Sequence, residues 1–95
     1  MPEIPANEDK EQKKDENKIG VAAIIVEEPD SAASVNAVLH QYSGLIVGRL
    51  GIPYRERGLS VISVVLDGTT DSISALTGKL GKITGVTVKA AMSKK

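Results

Sequence analysis

The sequence contains no cysteine, tryptophan or phenylalanine, and it has one histidine, His40. Without cysteine, a disulfide framework, a thiolate metal cluster and a cysteine nucleophile are all excluded. One histidine cannot build a multi-histidine metal site within one chain, so we expect no metal and no cofactor. The two tyrosines are too few for the aromatic platforms on which RNA-recognition sheets and single-strand binders stack bases.

An excess of charge of one sign is also lacking, because 12 Lys and Arg residues balance 12 Asp and Glu residues in a chain of 95. Proteins that bind nucleic acid through bulk charge need a basic surplus, so we expect no direct nucleic-acid contact. No apolar run reaches the ~20 residues that a membrane span requires. The polar beginning of the chain does not fit a secretory signal. These features predict a cytoplasmic protein that does not contact a membrane.

Composition changes sharply near Lys18. Residues 1–17 carry six acidic side chains and three lysines and have few apolar residues. Such a segment cannot bury enough surface to offset the entropy lost on ordering, so we predict a disordered polar tail. Residues 18–95 hold nine basic and six acidic side chains together with most of the apolar residues. They form one domain, whose small core is marginal for a lone monomer and favours self-association.

The apolar pattern of residues 18–95 predicts four strands and two helices. Continuous or alternating apolar residues favour strands at 19–26, 45–52, 59–66 and 86–91. A helical spacing of apolar residues follows Ser31 and runs to Ser43, where Asp30 or Ser31 would cap the start and Gly44 would end the helix. A second amphipathic helix follows the capping turn at 67–71, and Gly78 within it would allow close approach of another backbone.

The element order βαββαβ predicts an α+β fold of the ferredoxin-like kind. Its four-stranded antiparallel sheet would carry both helices on one face. The first and third strands are the most continuously apolar, so we place them in the centre and the other two at the edges. The opposite sheet face would expose an apolar surface. Such surfaces are rarely left in water, so we expect a homo-oligomer, either a dimer or a tetramer.

Three sequence blocks carry a resemblance to a known family. They are GRLGIPYR at 48–55, DGTTD at 67–71 and LTGKLG at 76–81. In this order they resemble the small ACT-like regulators associated with the iron-only hydrogenase system, and the similarity covers residues 18–95. The resemblance implies an ACT-like regulatory or sensing domain, similar also to the C-terminal domain of the nickel-responsive repressor. That relative's metal site uses several histidines and a cysteine, which this chain lacks.

A basic cluster in the second strand and its hairpin is the first candidate binding site. Arg49, Arg55 and Arg57 place three guanidinium groups within nine residues, and Tyr54 lies among them. Guanidinium groups bind carboxylates and phosphates through paired hydrogen bonds, which suits a small anionic effector or an acidic patch on a partner protein. The alternative is a solvated charged turn in which Glu56 pairs with its basic neighbours.

The loop between the first strand and the first helix is the second candidate. It contains Glu28, Asp30 and Ser31. The resemblance implies binding there, because ACT modules place small ligands at this loop, often at a subunit interface. Free N–H groups at a helix N-terminus favour an anion, whereas the glutamates would repel one, and the alternative is a capping turn. His40 is a candidate ligand or pH sensor, and the alternative is a surface or oligomer-interface histidine.

These observations favour a non-catalytic regulatory module that binds a small effector or a regulatory partner protein at a subunit interface. The alternative is a pure interaction or scaffold domain without a ligand. With one histidine and no cysteine, no set of nucleophile, base and orienting group is apparent, so we do not expect an enzyme.

Overall fold

The computed structural model describes residues 16–95. Most of the predicted polar tail, residues 1–15, lies outside the described residues, and Glu16 and Asn17 precede the first strand without regular structure. Within residues 16–95, no helix has the length and apolar character needed to cross a membrane.

The predicted element order βαββαβ is confirmed. The strands are β1 (Lys18–Val26), β2 (Ile46–Tyr54), β3 (Leu59–Gly68) and β4 (Val86–Met92). The helices are α1 (Ala32–Gln41) and α2 (Thr70–Gly81). Short 3-10 turns lie at Pro29–Ser31, Ser43–Leu45 and Arg55–Arg57.

The four strands form one antiparallel sheet in the order β2-β3-β1-β4. The two most apolar strands are therefore central and the other two are edges, as predicted. β2 carries a bulge between Ile46 and Gly48. It also contains Pro53, which a central strand would not accommodate because proline has no N–H to donate.

The core lies between the sheet and the two helices. Alternate residues of the central strands point to the helices, because successive side chains of a strand face opposite ways. The buried residues are Ala22, Ile24 and Val26 of β1, Ile62, Val64 and Leu66 of β3, Val35 and Leu39 of α1, and Ile73, Leu76 and Leu80 of α2. Each large side chain among them contributes about 1.5–3 kcal/mol by its burial.

The opposite side of the sheet, here called the outer face, is apolar and exposed. It comprises Ile19, Val21, Leu50, Ile52, Tyr54 and Val65. Leu50 is 63% exposed and Ile52 is 51% exposed, values typical of surface residues and unusual for aliphatic side chains on a sheet. The apolar outer face that the sequence predicted is therefore present, and the self-association predicted from it stays a prediction.

Both predicted boundaries of α1 need correction. Ser31 precedes the helix, but its hydroxyl donates to the carbonyl of Thr84 at 2.6 Å instead of capping the helix. At the other end, the N–H of Tyr42 donates to the carbonyls of Val38 and Leu39, so the helix ends before Gly44. Gly44 lies in the following 3-10 turn with a φ outside the left-handed region.

The predicted capping turn at 67–71 is confirmed. The hydroxyl of Thr69 accepts a hydrogen bond from the N–H of Ser72 at 3.1 Å and so caps α2 within the predicted turn. Gly58 ends the charged turn between β2 and β3 with φ +69°, a left-handed conformation that favours glycine.

Candidate functional site

A groove runs along the helix side of the sheet between α1 and β2. It consists of two cavities of about 260 and 250 Å³. Both are lined by Val26, Ala32, Pro53 and Ser60, so the two cavities adjoin and form one continuous groove. We call this combined space the groove.

Small and compact residues leave the groove open. Gly51 and Pro53 pair with inward-facing residues of β3, so they also face the helices. No neighbouring atom lies within 4 Å of the position where a side chain at Gly51 would begin. From the helix, Ala32 contributes only a methyl group. The sheet edge and the start of α1 are consequently not filled by side chains, unlike the core beside them.

One end of the groove is formed by Arg55 together with Pro29, Gly58 and Leu59. Arg55 begins the 3-10 turn after β2, and its carbonyl accepts from the N–H of Gly58 at 3.1 Å. The tight turn therefore fixes the backbone of Arg55 at the groove's end.

The other end is formed by Arg49 and Asn36. Arg49 is on β2, pairs with Val64 of β3 and so faces the helices. Its Nη2 donates to Oδ1 of Asn36 on α1 at 2.9 Å. Because this acceptor is a neutral amide, the hydrogen bond orients the guanidinium without neutralising its charge. An arginine held in this way retains further donors for an anion.

Tyr54 and Arg57, two other predicted site residues, do not line the groove. Tyr54 pairs with Leu59 and lies on the outer face, opposite to Arg49. Arg57 is exposed in the turn that follows β2.

The predicted residues of the β1–α1 loop do not line the groove. Ser31 bonds to the carbonyl of Thr84, and the side chain of Glu28 packs over Gly85. The N–H of Glu27 donates to the carbonyl of Gly85 at 2.8 Å. These contacts join the loop to the turn before β4. Asp30 is exposed in the short 3-10 turn, and Pro29 is the loop residue that lines the groove.

Among the groove residues that the sequence did not predict are Asn36, Ser60 and Pro29. Asn36 falls on the polar side of α1, and only packing of α1 against β2 shows that it meets Arg49. Ser60 could have been predicted as an inward-facing polar residue, because it lies an even number of positions from Ile62 and Val64 on the same strand. Pro29 was interpreted only as a turn residue.

A second groove lies between α2 and β4, with a volume of about 480 Å³ and Thr77, Gly78 and Lys89 among its lining residues. Lys89 is the one charged residue among them, and it pairs with Ala23 and so faces the outer face; this groove therefore offers an anion fewer partners than the first. His40 is exposed near the end of α1. Among the residues that the structure describes, no group of three or more histidine, aspartate, glutamate or cysteine side chains could hold a metal ion.

The fold and the groove together define a small ferredoxin-like α+β domain with an arginine at each end of a surface groove. A family comparison matches residues 18–90 to the TM1266-like family, described as "Iron-only hydrogenase system regulator, putative". The match covers most of the chain, and the chain belongs to this family. No curated protein matches it.

Two solved structures show the same fold. The protein TM1266 of Thermotoga maritima is 41% identical, with a TM-score of 0.79, and the alignment covers 83% of this chain and 100% of that protein. A formyltetrahydrofolate deformylase from Pseudomonas putida KT2440 is 11% identical, with a TM-score of 0.57, over 77% of this chain and 28% of the deformylase. At that identity the second likeness concerns the fold alone.

Proposed function

We propose that this chain is a non-catalytic regulatory module of the iron-only hydrogenase system that binds a small anionic effector in the groove. The observation that carries the proposal is the placement of Arg49 and Arg55 on one continuous groove with neutral walls between them. The description of the family as a regulator supports a binding function over a catalytic one.

The chemistry of the groove suits a small anion. Guanidinium groups donate paired hydrogen bonds to carboxylates or phosphates, and such charge-assisted bonds are stronger than neutral ones. The remaining walls include the apolar residues Val26, Ala32 and Pro53. Small-molecule sites commonly combine apolar walls with a few well-placed polar groups.

β2 links the groove to the outer face. Arg49, Gly51 and Pro53 face the groove, whereas Leu50 and Ile52 alternate with them on the outer face. As an edge strand, β2 pairs with β3 alone, so it can shift with less disruption than a central strand. An anion that repositions Arg49 would move the residues of the outer face with it, which is the physical basis for coupling binding to assembly.

We further propose that the outer face binds a second copy of the chain, giving a dimer or a tetramer. Its exposed aliphatic residues on neighbouring strands favour association, because contiguous apolar surfaces of this kind are costly in water. The effector site would then lie beside the subunit interface.

A thermal-shift screen tests the effector proposal. The full chain is heated with amino acids, nucleotides, organic acids and divalent metals, each in separate wells. An anion at 100-fold above its Kd stabilises the fold by about 2.7 kcal/mol. For a domain of this size that corresponds to a rise in Tm on the order of ten degrees.

Arginine variants then locate the site. We expect Arg49→Ala and Arg55→Ala each to remove most of the thermal shift produced by the best anion. Lys82→Ala is the matched control, because it also removes one positive charge but lies in the turn after α2. A shift that survives in both arginine variants would overturn the assignment of the groove.

A second candidate function is a scaffold domain without a small ligand, which the exposed outer face favours. It predicts a flat thermal-shift screen with a folded, self-associated protein, and binding of a partner protein that is lost when the outer face is made polar.

A further inference from the structure

We infer that the groove binds a linear molecule with an anionic group at each end and an apolar middle, of the α,ω-dicarboxylate class. This inference rests on the proposed function of the groove as an anion site. It follows from the positions of the two arginines, from the tether on Arg49 and from the walls between them.

The two arginines occupy opposite ends of the groove. Arg55 lines one of the two adjoining cavities and Arg49 lines the other. The residues common to both cavities are the neutral Val26, Ala32, Pro53 and Ser60. Between these two residues the groove has a stretch of wall without charged side chains.

The backbones of the two arginines lie far apart along β2, so a single anionic group could meet both guanidinium groups only if both side chains reached toward each other. A strand rises about 3.3 Å per residue, so the backbone from Arg49 to Tyr54, just before Arg55, extends roughly 17 Å. Arg49 is also tied to Asn36 at 2.9 Å, at its own end of the groove. For one carboxylate to contact both guanidinium groups, both side chains would have to converge over the apolar walls and would lose rotamer freedom.

The walls between the arginines match a methylene chain. Val26, Ala32 and Pro53 offer apolar surface and no hydrogen-bonding side chain, and Ser60 adds one hydroxyl. A ligand with many hydroxyls in its middle would leave most of them without partners, which is unfavourable when they lose water. A methylene spacer has no such cost, and its burial is favourable.

Calorimetric titration of the full chain with a series of dicarboxylates tests the inference. The probes are succinate, adipate, suberate and sebacate, in order of increasing length, with hexanoate and octanoate as matched monocarboxylates. We expect one of the longer dicarboxylates to bind best. We expect it to bind about tenfold or more tightly than its matched monocarboxylate, since a charged hydrogen-bonded pair is lost with the second carboxylate.

The arginine variants distinguish a two-ended ligand from a one-ended one. Arg49→Ala and Arg55→Ala should each reduce the affinity for the best dicarboxylate to about that of the monocarboxylate, while Lys82→Ala leaves it unchanged. The comparison of probes on the unmodified chain does not depend on the folding of either variant.

Four results would count against this inference, and they separate it from the proposed function. Equal affinity for dicarboxylates and monocarboxylates, or dependence on one arginine alone, would overturn the two-ended ligand and leave the anion site standing. If none of these probes bound but another anion gave a thermal shift that depends on Arg49, the two-ended ligand would again be overturned and the anion site would stand. Failure of every anion tested would overturn both.

Discussion

Asn36 orients the guanidinium of Arg49, because its amide oxygen accepts a hydrogen bond from that group at 2.9 Å. Replacing Asn36 with Asp would put a carboxylate beside Arg49. This carboxylate would pair with the guanidinium in place of the proposed anion. We expect Asn36→Asp to weaken anion binding by about tenfold or more, measured by calorimetry. Folding stability should change by less than about 1 kcal/mol, since exposed ion pairs contribute little.

Ser34→Asp is the control for this variant. Ser34 is exposed on the same helix and does not line the groove, so it adds an equal charge at a different place. Equal weakening by both variants would show that only the net charge matters and would contradict the role assigned to Asn36.

Gly85 joins the β1–α1 loop to the start of β4 and has φ +75°. A Cβ there would lie 2.8 Å from Cβ of Glu28. Because the left-handed conformation and the contact both oppose a side chain, we expect Gly85→Ala to lower the free energy of unfolding by about 2 kcal/mol or more. Chemical denaturation measures this change.

Gly44→Ala is its matched control. Gly44 has no atom within 4 Å of the position that a Cβ would take, and its φ is not positive. The control should therefore keep wild-type stability within about 0.5 kcal/mol. A similar loss in both variants would contradict the specific role of Gly85.

At single residues, the sequence predicted part of the site and missed the rest. Arg49 and Tyr54 are five positions apart, so on one strand they face opposite ways, and this could have been inferred from the twofold alternation. The contact between Arg49 and Asn36 could not have been inferred from the sequence, because it depends on how α1 packs across β2. The same holds for Ser31, whose hydroxyl bonds to Thr84 on a distant segment.

At the level of helices and strands, the pattern of apolar residues made the strand order of the sheet predictable. β1 and β3 are central because their apolar residues are nearly continuous, and β2 is an edge because it carries glycines and Pro53. The predicted ends of α1 were wrong because helix capping depends on which hydrogen-bond partner a hydroxyl or N–H group has in the folded protein. In α1 those partners were a distant carbonyl and the last turn of the helix itself.

Gly78 in α2 provides a prediction for an element. The sequence suggested that it allows close backbone approach, but within the described part of the chain no atom outside its own helix lies within 4 Å of a Cβ placed there. We therefore expect Gly78→Ala to stabilise the protein by up to about 1 kcal/mol, from helix propensity alone, as measured by chemical denaturation.

Gly68→Ala is the contrasting variant, because a Cβ at Gly68 would lie 2.7 Å from Cδ2 of Leu45. Leu45 would have to move to make room, so this variant should be less stable than Gly78→Ala. If Gly78→Ala destabilised the protein, or changed its oligomeric state, another molecule would have to pack against that turn of α2.

For the whole molecule, the outer face and the proposed assembly are tested together. Leu50→Glu places a charge on the apolar outer face, on the edge strand β2, where Leu50 is already 63% exposed, so the monomer should still fold. We expect light scattering at micromolar concentration to show an oligomer for the wild type and a monomer for this variant. Burying an unpaired carboxylate in the interface would be too costly.

Ala75→Glu is the control, since Ala75 is exposed on α2, on the other side of the sheet. It should keep the wild-type mass. A monomeric wild type, or equal loss of assembly in both variants, would contradict self-association through the outer face.

The most direct test of the groove as the effector site is amide chemical-shift mapping of the full chain with the best anion from the thermal-shift screen. We expect the largest changes at Asn36, Gly51 and Ser60, which line the groove, with a smaller response along the rest of β2. Thr77 and Lys89, which line the groove between α2 and β4, should barely move. Changes concentrated at Thr77 and Lys89, with none along β2, would contradict the central claim.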